Sequence, residues 1–186
     1  AVLLANCDGG DAVKVAERLV TTVRGLDLLD GHPVTVSAGV AWSGAWKQEG
    51  GWFLHRGGNF VLYQKTPTLG RFVLTAMLRE GRRLKWVLNY TDAKNYDLFE
   101  IDKRSFYHTL VRNGRKTERP RVAHNLGDWQ YCNLSIEVSA GSIIHRAQRG
   151  QEWLTLSQTM GDYGQGQFGF YLPGGDEVGL SNFTFT

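Results

Sequence analysis

Short apolar and aromatic runs recur between Gly51 and Arg112, and turn-forming residues separate one run from the next. Within the runs, apolar side chains occupy alternate positions, which is the period of a β-strand with one buried face. Because a helix needs a period near 3.6 and a longer uninterrupted run, the stretch predicts consecutive antiparallel strands. The turn residues fall at 57–58, 67–70, 81, 92–95 and 103–104.

The same pattern continues to the C-terminus, with turn signals about every eight to twelve residues, a spacing typical of sandwiches and jelly rolls. A chain of 186 residues is long enough to bury the core of one such sandwich. Its 12% aromatic residues and 23 glycines suit a β protein with many turns. Strands are predicted at residues 52–55, 59–64, 71–79, 83–91, 95–102, 105–112, 116–123, 130–139, 142–149, 152–158, 166–172 and 177–186.

Residues 1–41 follow a different pattern. The apolar run AVLLA predicts a buried strand, and Asp11 is placed to cap the helix that follows it. Over Ala12–Arg24, apolar residues recur every three or four positions, which predicts a single helix. The run VTVSAGV at Val34–Val40 predicts a second strand. The overall prediction is therefore a mainly β protein, an antiparallel sandwich or jelly roll with one N-terminal strand-helix-strand element.

Two motifs in this first part, AERL at Ala16–Leu19 and PVTVSAGVA at Pro33–Ala41, resemble the back part of a diguanylate cyclase (GGDEF) domain. In that family, the loop that binds metal and nucleotide precedes the strand that AVLLA resembles, and a lysine-bearing helix follows GVA. The sequence starts after the first of these and has Trp42–Trp46 in place of the second. The resemblance therefore implies a fold element and no catalytic residue.

The order of motifs after residue 42, from GGWFLHRGGNFVLY to the tail GQFGFYLPGGDEVGLSNFTF, is similar to concanavalin-like lectin and glucanase jelly rolls. Within that fold it resembles the laminin-G-like bacterial group related to 3-keto-disaccharide hydrolases. In that group an opening strand of the Asp-Asp-Phe kind pairs with the last strand, and this sequence shows no such motif. Because an unpaired apolar edge at Leu180–Phe185 invites aggregation, we expect Val34–Val40 to pair with it.

Two parts are therefore expected, a cyclase-like fragment at 1–41 packed on the sandwich and a jelly roll at 42–186. Each part resembles a known domain that is incomplete here. An engineered or recombined chimera of two natural fragments with no selected activity is an alternative to a natural protein.

Glu100 and Asp102 lie two positions apart on a predicted strand, so their side chains share a face. Laminarinase-type glycosidases on this fold carry Glu-x-Asp-x-x-Glu on one strand, which supplies the carboxylates that flank the scissile bond. Ser105 stands where the second glutamate would be. We therefore expect no enzyme activity, with glycoside or 3-keto-glycoside hydrolysis as the alternative.

Aromatic, amide and charged residues on the central strands suit a saccharide-binding surface, because rings stack on sugar faces while amides, carboxylates and arginine reach the hydroxyls. Strict alternation places Trp86 and Tyr90 on the core face, with Lys85 and Asn89 on the opposite face. The sequence thus predicts a non-catalytic, lectin-like module that binds an oligosaccharide or acts in protein interactions. The candidate ligand-binding residues are Lys85, Asn89, Asp97, Glu100, Tyr107 and Arg112.

The net charge of +3 is spread over the chain, and the densest basic stretches, residues 79–85 and 112–121, lie at predicted strand ends. Solvated hairpin tips account for such stretches, with phosphate-backbone binding as the alternative. We expect neither a nucleic-acid partner nor a membrane span, since no apolar run approaches about 18 residues. The histidines lack metal-site spacing, so no cofactor is expected. The alternative is calcium at the turn aspartates Asp92, Asp128, Asp162 and Asp176.

Overall fold

The computed structural model describes residues 45–63, 69–127, 129–163 and 165–186. These residues form two antiparallel β-sheets packed face to face, which confirms the predicted sandwich. The cyclase-like fragment, with its expected strand-helix-strand element, lies outside the described residues. Within the described ranges, no segment is a helix long and apolar enough to cross a membrane.

The closing strand of the chain lies inside the first sheet, and the second sheet packs against that sheet. In spatial order, the strands of the first sheet are β1 (Lys47–Glu49), β2 (Trp52–Arg56), β14 (Glu177–Phe185), β4 (Gly70–Glu80), β10 (Cys132–Val138), β11 (Ser142–Arg149) and β12 (Glu152–Met160). Those of the second sheet are β3 (Asn59–Leu62), β13 (Gln167–Leu172), β5 (Leu84–Asp92), β6 (Asn95–Ile101), β7 (Ser105–Arg112) and β8 (Arg115–Glu118), with the short β9 (Val122–Ala123) also paired to β7. Strands β12 and β8 are therefore sheet edges.

The predicted strands from Trp52 onward are found within a few residues of their predicted bounds, with two differences. The strand predicted at 116–123 is two short strands, β8 and β9, because Pro120 between them has no N–H to donate to a ladder. Strand β1 has no signal in the sequence, since its three residues are all polar and exposed.

Aromatic side chains fill the space between the sheets. Trp86 is fully buried, as predicted, and its ring centroid lies 6.3 Å from that of Phe99 and 6.0 Å from that of Phe106. Farther along the core, the rings of Phe72 and Phe168 stack with centroids 4.6 Å apart. Fully burying a side chain of this size stabilises the fold by about 1.5–3 kcal/mol, so these rings are a principal source of stability.

The closing strand pairs with β4 along one side and with β2 over its first residues, while Val34–Val40, the mate expected for it, lies outside the described residues. Strand β4 pairs with β14 from Glu177 to Phe185, and Leu180 also pairs with Phe53 of β2. Strand β2, which pairs with the first part of the closing strand, has the sequence WFLHR and does not resemble an Asp-Asp-Phe motif. The expected pairing of Val34–Val40 with Leu180–Phe185 stays a prediction.

One histidine is part of the aromatic core. The indole Nε1 of Trp86 donates a hydrogen bond of 3.2 Å to Nε2 of His145, so the ring proton is on Nδ1, which contacts Ser157 Oγ at 3.2 Å. Complete burial, and to a lesser extent the nearby His108, hold the pKa of His145 well below its usual value of 6.5. His145 is consequently neutral in the folded protein.

The folded protein is expected to lose stability as the pH falls below about 6.5, because His145 takes up a proton in the unfolded chain but not in the core. This single group contributes a loss of up to about 1.4 kcal/mol per pH unit until the folded-state pKa is reached. Urea unfolding of the wild type and of His145→Gln between pH 7 and pH 5 measures the effect. The free energy of unfolding of the Gln variant should fall less with decreasing pH than that of the wild type. An equal fall in both proteins would contradict the assignment.

Candidate functional site

The six residues predicted to bind a ligand separate into two groups on opposite faces of the second sheet. The group on the outer face, directly opposite one another on β5, β6 and β7, comprises Lys85, Glu100 and Tyr107. The group on the face toward the first sheet, at one end of the sandwich, comprises Asn89, Asp97 and Arg112. The structure therefore does not bring all six residues into one site.

The outer-face group belongs to an ionic cluster whose members contact one another. Arg83 lies 3.8 Å from the ring centroid of Tyr107 and 3.6 Å from the carboxylates of Glu100 and Asp102. Lys85 forms an ion pair with Asp176 in the turn between β13 and β14. These contacts brace three strands and a turn, and a role of the group in ligand binding stays a prediction.

The inner-face group depends on a break in β5 at Asn89. The Asn89 backbone is left-handed, with a φ of 52°, and the pairing of β5 with β6 shifts register between Leu88 and Asp92. Asparagine adopts this conformation more readily than most residues do. Beyond the break the alternation is reversed, so Tyr90 packs with the outer-face apolar residues that include Val87. The predicted faces of Asn89 and Tyr90 are therefore wrong.

The loop between β12 and β13 packs against the backbone of β5 at this break. A Cβ atom at Gly166 would lie 2.5 Å from the carbonyl carbon of Asn89, and the φ of Gly166 is +79°, so only glycine fits. The Asn89 amide donates to the carbonyl of Asp162 at 3.1 Å. On the other side of the loop, the Tyr163 amide donates to the carbonyl of Ala140 at 3.3 Å. The loop is thereby attached to both sheets.

Asp97 is fully buried and accepts hydrogen bonds from three side chains. Its Oδ1 accepts from His108 Nε2 at 3.2 Å, and its Oδ2 accepts from Arg112 Nη2 at 2.8 Å and from Asn89 Nδ2 at 3.4 Å. Burial alone would raise the pKa of Asp97, but the hydrogen bonds and charges of His108 and Arg112 hold it below its usual value. The carboxylate is therefore ionised at neutral pH.

Arg112 is fixed in place while its side chain stays 50% exposed. Besides its bond to Asp97, Nη1 donates to the backbone carbonyls of Tyr96 at 2.9 Å and Val111 at 2.8 Å. These three hydrogen bonds occupy three of the five N–H donors of a guanidinium, which leaves two for a ligand.

Two clefts flank Asp97, one lined by each of two of its partners. The polar cleft, about 170 Å³, is lined by Asn89, Thr91, Asn95, Arg112, Asp162 and Gln165. The larger cleft, about 330 Å³, lies between β7, the segment after β8, and β12, and its lining includes Phe106, His108, Arg119, Ser157, Thr159 and Met160. Asp97 holds one residue of each cleft, since Arg112 belongs to the polar cleft and His108 to the larger one.

The sequence pattern does not predict the far wall of the polar cleft. Asp162 and Gln165 lie in the loop between β12 and β13, whose sequence GDYGQG suggests only a turn. One signal is present, because this connection is longer than a tight hairpin requires and contains the buried Tyr163.

The turn aspartates considered for calcium are not grouped in the part of the chain that the structure describes. No three His, Cys, Asp or Glu side chains among the described residues are grouped as a metal site requires, and Asp128 lies outside those residues.

Comparison with known proteins identifies the fold. No protein-family model matches the chain, and no curated protein matches it. Solved structures with this fold include the carbohydrate-binding module CBM66 from Bacillus subtilis, with a TM-score of 0.60 and 16% identity over 77% of this chain and 94% of that one. The VIP36 exoplasmic/lumenal domain in its Ca²⁺/Man-bound form has a TM-score of 0.52 and 9% identity over 79% of this chain and 88% of that one.

A third similar structure, the xyloglucan PUL protein GH43B of Bacteroides ovatus, has a TM-score of 0.59 and 12% identity over 87% of this chain. The match spans only 41% of that longer protein. At these identities the likeness shows the fold alone, which is the two-sheet antiparallel sandwich seen in the structure.

Removing the Asp97 carboxylate is expected to destabilise the fold by about 3 kcal/mol, because its three donors lose a buried acceptor. Asp97→Ala and the wild type would be compared by urea unfolding. Glu137→Ala is the matched control, since Glu137 also pairs with an arginine, Arg146 at 3.0 Å, but is exposed. The control should lose no more than about 1 kcal/mol. Equal losses in the two variants would show that Asp97 does not organise this end of the sandwich.

Proposed function

We propose that the chain is a non-catalytic carbohydrate-binding β-sandwich that holds part of a saccharide in the polar cleft. One observation carries the proposal. The Arg112 guanidinium is half exposed at the cleft and is fixed by the fully buried carboxylate of Asp97. A donor held in place before the ligand arrives loses little conformational freedom on binding, so more of its interaction energy contributes to affinity.

The chemistry of the lining supports a sugar ligand. Sugar hydroxyls both donate and accept hydrogen bonds, and the amide of Gln165 can do the same. Arg112 supplies donors, and Asp162 supplies acceptors on the facing wall. Similar structures support the proposal at the level of the fold, since one is named a carbohydrate-binding module and another is described in a Man-bound form.

The ionisation of Asp102 and Asp97 supports saccharide binding over hydrolysis. Burial alone would raise the pKa of Asp102, but hydrogen bonds from the amides of Arg104 and Ser105 and from the Tyr107 hydroxyl hold it below its usual value. The pKa of Asp97 is lowered as well. A glycosidase needs one carboxyl group whose pKa is raised, so that it can donate a proton near neutral pH.

Replacing Arg112 is expected to weaken saccharide binding about tenfold or more, since the ligand loses charged, pre-oriented donors. A glycan array would identify an oligosaccharide ligand, and calorimetric titration would compare the wild type with Arg112→Met and Arg112→Lys. The Lys variant keeps the charge but not the planar fork, so it should also bind weakly.

Arg83→Met is the matched control, because Arg83 lies in the ionic cluster on the outer face. It should bind the ligand as the wild type does. The proposal fails if the wild type binds no saccharide on the array, or if the Arg83 variant loses as much affinity as the Arg112 variants.

A glycoside hydrolase, including one acting on 3-keto-glycosides, is the second candidate function. The shared approach of Glu100 and Asp102 to Arg83, 3.6 Å from each, favours it, because paired carboxylates are the machinery of glycosidases. We expect no turnover of aryl glycosides or 3-keto-glycosides by the wild type. Turnover that Glu100→Gln abolishes would establish the hydrolase and overturn the non-catalytic proposal.

A further inference from the structure

Three arginines lie in a row along the mouths of the two clefts. Arg115 on β8 is directly opposite Arg112 on β7, so both side chains are on the same face of the sheet. Thr117 follows on that face two residues later, and Arg119 continues the alternation. Arg119 lines the larger cleft, as this register predicts. The row therefore extends from the polar cleft to the larger one.

Arg112 is paired with Asp97, but among the described residues no carboxylate neutralises the charges of Arg115 and Arg119. Several cations elsewhere on the described surface are paired, as in Arg79 with Glu49 at 3.2 Å and Arg146 with Glu137 at 3.0 Å. Within the part of the chain that the structure describes, Arg115 and Arg119 form no ion pair. The nearest acidic residue in sequence, Glu118, is opposite Thr109 and hence on the other face of the sheet.

The facing wall adds little negative charge. The residues of β12 that line the larger cleft are Ser157, Gln158, Thr159 and Met160, none of which is charged. Asp162, on the wall of the polar cleft, is the one exposed carboxylate among the described residues that line either cleft. The larger cleft and its rim therefore have a positive potential toward solvent.

We propose that the saccharide is acidic, with uronate carboxylates that contact Arg115 and Arg119 while its hydroxyl groups occupy the polar cleft. The inference rests on the proposed function and specifies its ligand. The planar guanidinium of arginine matches a carboxylate through two parallel hydrogen bonds, so arginines along a cleft suit a chain that bears carboxylates at intervals.

Nucleic acid is the competing polyanion, and the lining of the larger cleft disfavours it. Single-stranded nucleic acids bind through exposed aromatic rings on which bases stack, in addition to positive charge. Phe106, the aromatic residue that lines this cleft, is fully buried in the core and presents no open ring face. Amide side chains in the adjoining polar cleft suit hydroxyl groups instead.

The test compares one sugar chain with and without its charge. The protein would be titrated with oligogalacturonate and with its methyl ester, and also with alginate oligomers and an oligothymidylate of equal charge. The acid should bind at least about tenfold more tightly than the ester at low salt, because the ester lacks the ionised carboxylate. Added salt should reduce this preference, since exposed charges are screened.

The double variant Arg115→Gln with Arg119→Gln should lose the preference for the acid and bind the ester as the wild type does. The matched control is Arg146→Gln with Arg149→Gln, which removes the same charge from two arginines paired with Glu137 and Glu152. This control should keep the preference.

Four outcomes would overturn the inference, and they separate it from the proposed function. Equal binding of acid and ester, weakened in both cases by Arg112→Met, overturns the acidic ligand but leaves the saccharide-binding function in place. The same holds if only neutral glycans bind. If the control double variant loses the preference for the acid as fully as the Arg115 and Arg119 variant does, the row of arginines has no specific role. Tighter binding of the oligothymidylate, lost in the Arg115 and Arg119 variant, assigns the row to phosphate chains.

Discussion

The buried carboxylate of Asp97 is the constraint on which one end of the sandwich depends. A charge in a low-dielectric interior is tolerated only when neighbouring groups compensate for it, and here His108, Arg112 and Asn89 do so together. Each of these partners comes from a strand that the carboxylate thereby ties to β6. The left-handed backbone at Asn89 directs its amide toward Asp97, and Gly166 packs against the same stretch of backbone.

The rest of the interior is built on a different principle. Rings such as Trp86, Phe72 and Phe168 fill the space between the sheets and need no specific partner, apart from the hydrogen bond of Trp86 to His145. The sandwich thus combines an apolar centre, which supplies stability, with a polar end, which fixes the direction of a few side chains. Clefts form at the polar end, where the edges of the two sheets are joined by loops instead of backbone pairing.

Alternation of apolar residues predicts the fold well, because it is a local property and most strands from β2 onward carry it, although β8 does not. It also places Lys85 correctly on the outer face. It fails at Asn89, since one residue in a left-handed conformation reverses the faces of all that follow in the strand. Alternation does not predict contacts between distant parts of the chain. Two such contacts are the pairing of β2 with β14 and the position of Asp162 over the sheet.

Strand β8 also affects how readily two molecules of the chain associate, independently of any ligand. All four of its residues are exposed, and it is the last strand on its side of the sheet, so part of its backbone is open to pairing with another molecule. Long charged side chains on such a strand keep two molecules from joining edge to edge. Substitutions that neutralise this edge would therefore favour self-association.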